Sequence, residues 1–203
     1  MHNIAENAIH DLWEWFRANA RTIAADIENP ASLRELDLRV TSLGEGISWE
    51  IGPGRHKPWH LVISPNLDRD LRETTRLIVA KAPDLDDWEF YSAKQPKDWK
   101  YQVETVKDSS DEVSRIDANN WRFVLVQYPD GFREILIESP DLSCSTRDEL
   151  TQIGELVLVS LLGEDAFLDS IDGFELVDRL EPRFSERARP IRELSSAVTG
   201  RER

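Results

Sequence analysis

The chain has 203 residues, of which 40% are hydrophobic and 32% charged, and its formal net charge is −14. This length supports a sizeable core, and the apolar share exceeds that of disordered chains. The negative charge argues against nucleic acid and anionic membranes as partners, because both repel an acidic surface, whereas a basic protein remains compatible with it.

Two helices are predicted at the N-terminal end, over residues 8–43. In the first, residues 8–27, apolar side chains recur at helical spacing on one face. Trp15 falls about 60° outside that face. Two interpretations stay open: the second helix covers Trp15, or the indole is exposed and anchors a partner or a second copy of the chain.

The order strand, tight turn, strand, helix, strand is predicted over residues 47–94. Two β-like runs, 47–51 and 59–64, flank a Gly-Pro-Gly turn and are typical of a hairpin. The segment "DRDLRETTRLIVAKAPD" follows as an amphipathic helix that Pro83 closes. "WEFYSAK" then supplies the third strand of this first ββαβ unit.

The same order is predicted again over residues 121–180. The polar stretch 95–118 before it is interpreted mainly as a connection. A Pro-Asp-Gly turn joins the two strands of the second hairpin. Thr146 and Glu149 have the spacing of a capping box, which predicts the start of the following helix.

The repeated order predicts an α+β fold in which duplicated ββαβ units form one mixed sheet with helices on one face, preceded by the N-terminal helical pair. Coincidence is the alternative to duplication, because ββαβ is a common order. Residues 1–180 are predicted to form a single domain. The tail 181–203 is rich in Arg and Glu and is predicted to be flexible.

A cytoplasmic location is predicted. The single cysteine, Cys144, excludes an intrachain disulfide. The first residues lack the basic and apolar regions of a signal peptide, and the most apolar stretch, "IGELVLVSLLG", is too short to span a membrane. Cys144 precedes a predicted helix, so it is either a reactive thiol or an incidental free cysteine.

Catalytic motifs are scarce. The chain has no phosphate loop, no G-x-G-x-x-G, no H-E-x-x-H and no G-x-S-x-G. His56 and His60 have the spacing of a helical metal pair, but Pro58 disfavours a helix there, and on a strand they lie too far apart. No catalytic residue, metal or cofactor is therefore predicted, and a non-enzymatic protein is favoured.

Two aromatic stretches are candidate partner-binding sites. "PDLDDWEF" places four carboxylates around Trp88: Asp84, Asp86, Asp87 and Glu89. They are an acid–base pair for glycoside hydrolysis, a solvated turn before a buried strand, or an acidic contact patch with an aromatic anchor, and the solvated turn is favoured over the acid–base pair. "KDWKY" interleaves lysines with Trp99 and Tyr101 and is interpreted as a loop packed on a sheet edge or an interface anchor.

Five stretches between about residues 10 and 178 form a recognisable pattern: "LWEWF", "SWEIGP", "HLVISP", "APDLDDWEFYSAKQP" and "LVSLLGEDAF". In this pattern the chain resembles a family of bacterial cytosolic proteins to which no activity is assigned. The resemblance implies a one-domain α+β protein and supplies no site residues.

Two functions follow as hypotheses. The first is a protein-binding or adaptor module, with an immunity-type inhibitor of a basic toxin as one form of it. The alternative is a hydrolase that uses carboxylates and His60 in a cleft between the two ββαβ units.

Overall fold

The computed structural model describes residues 6–97, 102–106, 113–142 and 146–200. Contacts divide the chain into two compact units, Met1–Lys94 (unit 1) and Gln95–Arg203 (unit 2). Helices and mixed sheets confirm the α+β class. The main division thus falls at Lys94 and not at residue 180; that residues 1–180 form a single domain stays a prediction.

Unit 1 begins with the predicted helical pair and continues with a three-stranded sheet of order β1-β2-β3. β1 is antiparallel to β2, and β3 is parallel to β2. The parallel pairing needs a crossover, which α3 supplies. The elements are α1 (Glu6–Ala25), α2 (Pro30–Thr41), β1 (Ser48–Pro53), β2 (Trp59–Ser64), α3 (Arg72–Val79) and β3 (Trp88–Tyr91).

The core of unit 1 is aromatic. Phe16 of α1 is fully buried, and its ring meets those of Trp88 and Phe90 edge-on, at 4.8 and 5.6 Å between centroids. Trp13 is also buried and donates its indole N–H to the Ile78 carbonyl at 2.8 Å. Edge-to-face packing adds to the apolar burial of each ring, so α1 is fixed on one face of the sheet.

Unit 2 contains a two-stranded ribbon and a four-stranded sheet of order β8-β7-β6-β9. β7 and β8 are parallel, whereas β9 and β7 both run antiparallel to β6. The elements are β4 (Gln102–Val106), β5 (Val113–Asp117), β6 (Arg122–Gln127), β7 (Arg133–Glu138), α4 (Arg147–Leu162), α5 (Glu164–Ser170), β8 (Gly173–Val177), α6 (Pro182–Ser185), β9 (Arg189–Pro190) and α7 (Leu194–Thr199).

The tail contains α6, β9 and α7 within the part that the structure describes; that the tail 181–203 is flexible stays a prediction. Ile191 and Leu194 are fully buried, and the Ile191 N–H donates to the Trp121 carbonyl at 2.9 Å. Burial of two large aliphatic side chains opposes the solvation of the surrounding Arg and Glu residues and holds the segment on unit 2.

The two predicted ββαβ segments have the same pairing: an antiparallel hairpin, then a third strand parallel to the second. Their strands lie in separate sheets, and not in the one mixed sheet that was predicted. Each second strand already has a neighbour from its own segment on both sides, which leaves it no free edge for the other segment. Duplication itself stays a prediction.

None of the described helices combines the length and the apolar character that crossing a bilayer requires.

Candidate partner-binding site

Trp15 lies half-buried on α1, packed against the core of unit 1. The guanidinium of Arg39, from α2, lies over its ring at 5.2 Å from the centroid. Arg39 is held in place by an ion pair with Glu35 at 2.7 Å. The second helix therefore covers one face of the indole, as the first of the two interpretations requires; a role for Trp15 in binding a partner stays a prediction.

The acidic stretch before β3 divides between surface and core. Asp86 and Asp87 are exposed, whereas Trp88 is only 2% exposed and packs in the aromatic core. Asp84 is almost fully exposed and pairs with Lys57 at 3.2 Å. The carboxylates thus form a surface patch, while the indole between them stabilises the fold.

Three residues singled out from the sequence, Trp99, Tyr101 and Cys144, lie outside the described residues. Their predicted roles stay predictions.

A groove runs along α1 beside the segment 77–88. It consists of two hollows of about 500 and 450 Å³ that adjoin at Arg17, and we call it the α1 groove. Besides Arg17, its lining side chains include Ile9, His10, Trp13, Glu14, Leu77, Lys81 and Pro83 in the first hollow and Arg21, Asp84, Asp86, Asp87 and Trp88 in the second.

The two ends of the α1 groove differ in chemistry. At one end Leu77 is 52% exposed, which is unusual for a leucine on an amphipathic helix. At the other end, within the part of the chain that the structure describes, neither Asp86 nor Asp87 has an ion-pair partner. Arg17, where the hollows meet, is neutralised by Glu14 at 2.6 Å. The groove therefore offers an apolar contact and unpaired carboxylates along one surface.

The opposite face of the unit 1 sheet carries polar side chains that sequence analysis did not group. Glu50, His60, Glu89 and Tyr91 occupy alternate positions on neighbouring strands, with His60 beside Glu89 in the β2–β3 register. The core-facing residues of these strands occupy the other positions. Alternation with a period of two was the signal that could have placed these four side chains on one face.

Glu89 holds the turn between β1 and β2. Its carboxylate accepts the backbone N–H groups of Arg55 at 3.0 Å, His56, and Lys57 at 2.6 Å, as well as the hydroxyl of Tyr91. The Tyr91 hydrogen bond above all, together with the three N–H groups, lowers the pKa of Glu89 to about 2, although burial acts in the opposite direction. Glu89 is therefore a carboxylate at physiological pH and has a structural role.

The pKa of Tyr91 shifts in the opposite direction. Burial, and then its hydrogen bond to the Glu89 carboxylate, raises the pKa of Tyr91 to about 12. The phenol therefore stays protonated at physiological pH and acts as a hydrogen-bond donor.

His60, which the hydrolase hypothesis names, lies on this polar face. The Pro53 carbonyl oxygen, 2.9 Å from Nδ1, can only accept, so Nδ1 carries the proton. Nε2 is buried, has no hydrogen-bond partner among the described residues, and lies 3.5 Å from a carboxylate oxygen of Glu50. Only 14% of the His60 side chain is exposed, which restricts the access of a substrate.

A metal centre finds no support in the described ranges, where no group of three or more His, Cys, Asp or Glu side chains is placed to hold an ion. His56 lies in the turn that Glu89 holds, whereas His60 lies on β2 next to Glu50.

Comparison with known proteins gives no match: no family model fits the sequence, and none of the curated proteins or solved structures is similar to it. Function is therefore inferred from the surfaces of the molecule itself.

Proposed function

We propose that this chain is a non-enzymatic protein-binding module whose α1 groove binds a basic partner. The observation that carries the proposal is the pairing, in one groove, of an exposed Leu77 with the unpaired carboxylates of Asp86 and Asp87. A partner with an apolar side chain and nearby Lys or Arg residues complements both ends. The net charge of −14 adds a long-range attraction for such a partner.

A defined probe tests the groove. Synthetic helical peptides with leucines on one face and lysines and arginines on the other are titrated into the full chain. A matched set carries glutamate in place of the basic residues. We expect the basic peptides alone to bind, to shift the NMR signals of residues 77–88 and of α1, and to weaken with added salt.

The double substitution Asp86→Asn, Asp87→Asn should weaken binding of the basic peptides about fivefold, the effect of two exposed ion pairs. Glu28→Gln with Glu45→Gln is the matched control, because it removes the same charge from exposed positions that do not line the groove. Equal weakening by both double variants would show that only net charge acts and would contradict the proposal.

Finer parts of the proposal are a cytoplasmic, bacterial protein and an immunity-type inhibitor of a basic toxin. Charge and the absence of catalytic motifs in the sequence support the inhibitor, and the resemblance to bacterial cytosolic proteins supports the origin and the location. An inhibitor should protect cells from its toxin when the two are co-expressed, and Asp86→Asn with Asp87→Asn should reduce that protection. Protection by the double variant equal to that of the parent would exclude this groove as the inhibitory surface.

An acid–base enzyme is the second candidate. It is favoured by Nε2 of His60, which lies 3.5 Å from Glu50 and has no hydrogen-bond partner in the described ranges. A neutral imidazole with its proton on Nδ1 presents a lone pair at Nε2, as a general base requires. A panel of ester, amide and glycoside substrates tests this function. Hydrolysis by the parent chain that His60→Gln abolishes, with unchanged thermal stability, would favour the enzyme over the binding module.

A further inference from the structure

The four-stranded sheet of unit 2 has an edge that is only partly covered. β9 pairs with β6 at two positions, Arg122 and Phe123. The residues just before β9, 184–188, form a turn and do not extend this pairing along β6. On the side away from β7, the second half of β6, residues 124–127, has no strand beside it in the described structure. Uncovered strand edges are templates for pairing with another strand.

Hydrogen bonds establish which residues face this edge. The Ile191 N–H donates to the Trp121 carbonyl, so the odd-numbered residues of β6 direct their backbone groups toward β9. On the other side, the Tyr128 N–H donates to the Phe132 carbonyl, which shows that even-numbered positions bond to the β7 side. Leu125 and Gln127 therefore direct their N–H and carbonyl groups outward.

We infer that residues 124–127 pair with the same residues of a second copy of the chain, so that two sheets join edge to edge. An antiparallel arrangement with a two-fold axis at Val126 places Leu125 of one copy opposite Gln127 of the other. Each such pair exchanges two backbone hydrogen bonds, and the symmetry repeats the pair. The edge thus complements itself without any other segment.

Two features of the edge suit a second copy. Val124, Leu125, Val126 and Gln127 carry no charge, so the contact itself has no like-charge repulsion. The hairpin tip next to the edge carries the largest exposed aromatic surface of the described part of unit 2, Tyr128 and Phe132, each 41% exposed. In the paired arrangement Tyr128 of one copy lies opposite Val124 of the other, where its ring loses contact with water.

The dependence on salt distinguishes pairing at this edge from binding of a basic partner in the α1 groove. Two chains that each carry a net charge of −14 repel one another, and salt screens that repulsion. Pairing through the uncharged edge should therefore strengthen with added salt, whereas binding of a basic partner to the α1 groove should weaken.

Sedimentation of the full chain from micromolar to millimolar concentration, at low and at high salt, tests the inference. We expect the mass to double with rising concentration, at lower concentration in high salt. Gln127→Pro removes the outward N–H at 127 and with it half of the backbone hydrogen bonds between the two copies. The backbone hydrogen bonds between β6 and β7 are kept. The dimer dissociation constant should rise about 30-fold.

Gln127→Thr is the matched control, because it changes the side chain and keeps the N–H; it should dimerise like the parent. Hydrogen exchange supplies a measurement without substitution: the amides of Leu125 and Gln127 should become protected as concentration rises. A chain that stays monomeric at millimolar concentration in high salt would overturn the inference. So would a dimer that Gln127→Pro leaves unchanged, or one in which both amides exchange as fast as in the monomer.

Discussion

Unit 1 and unit 2 use the same local pairing of strands around cores of different composition. In unit 1 the face of the sheet toward α1 is filled by edge-to-face aromatic rings, Phe16, Trp88 and Phe90 among them. In unit 2 the buried residues are mostly aliphatic, such as Val157 and Leu158 of α4. One strand order therefore does not dictate one type of core.

The two units also differ in the side chains on the second face of the sheet. In unit 1 the second face is polar, and Glu89 is bonded there to the hairpin turn. In unit 2 the second face carries Val124 and Leu136, which form a small buried cluster with Leu180, and Phe184 of the tail packs against it. The same face also carries charged side chains, among them the ion pair of Arg122 and Glu138. The same local order thus leaves a polar, hydrogen-bonded face in one unit and a face of mixed apolar and charged side chains in the other.

The largest effect is expected in the aromatic core. Phe16→Ala should lower the free energy of unfolding by about 3–5 kcal/mol, because it empties a fully buried site and removes edge-to-face contacts. Phe123→Ala in unit 2 removes a ring of the same size with fewer aromatic neighbours and should cost about 1 kcal/mol less. Denaturant unfolding of both variants measures the difference; equal losses would show that the aromatic contacts add nothing to burial.

Close packing of α4 on β8 predicts the next effect. A methyl group on Gly154 would come within 2.2 Å of the Phe174 ring and 2.7 Å of Leu176. Gly154→Ala should therefore destabilise unit 2 by about 1–3 kcal/mol, despite the better helix propensity of alanine. Thr151→Ala, at an exposed position of the same helix, should leave the denaturation midpoint nearly unchanged. A stabilised Gly154→Ala protein would show that the contact between α4 and β8 is looser than described.

The two buried indoles offer a smaller test. The Trp13 N–H donates to the Ile78 carbonyl, whereas the Trp121 N–H has no partner among the described residues. The substitution Trp13→Phe removes a hydrogen bond. The substitution Trp121→Phe removes an N–H donor that has no partner among the described residues. Trp13→Phe should therefore cost about 1 kcal/mol more than Trp121→Phe. Thermal unfolding of the two variants at matched conditions decides the order.

The last test is Glu89→Gln, whose interest lies in its pH dependence. The amide keeps one accepting oxygen, but its NH2 group cannot accept the hydrogen bonds that the second carboxylate oxygen receives. The pKa of Glu89 is about 2 in the folded chain, below its ordinary value of 4.5. A lowered pKa contributes stability above pH 4.5 that is lost as the pH falls toward 2. The parent should therefore be more stable than the variant at neutral pH, with a gap that narrows in acid. A gap that stays constant down to pH 2 would contradict the lowered pKa.

Local signals in the sequence predicted much of the fold. The hairpin strand 59–64 is β2, and the Thr146–Glu149 capping box opens α4 as predicted. These features depend on a few neighbouring residues, so they can be inferred from spacing alone.

The features that were missed depend on distant contacts or on weak local patterns. α5 begins directly after Gly163, without a side-chain cap to mark it. β5 lies in a stretch that was interpreted mainly as a connection because of its polar composition. The burial of Ile191 and Leu194 depends on contact with a core formed earlier in the chain, which no local pattern shows.

The candidate site was predicted in part. The exposed Asp86 and Asp87 follow from their composition, but the groove beside them depends on how α1 packs, and Leu77 was not anticipated as an exposed side chain.

The bonds between Glu89 and residues 55–57 have a consequence for the order in which unit 1 assembles. They connect positions 32–34 residues apart, so the turn of the first hairpin lacks its acceptor until the chain has crossed over and the third strand has docked. Strand docking and turn closure are thereby one event. Any force that peels β3 from the sheet also releases the turn, and the hairpin loosens from its tip together with the departing strand.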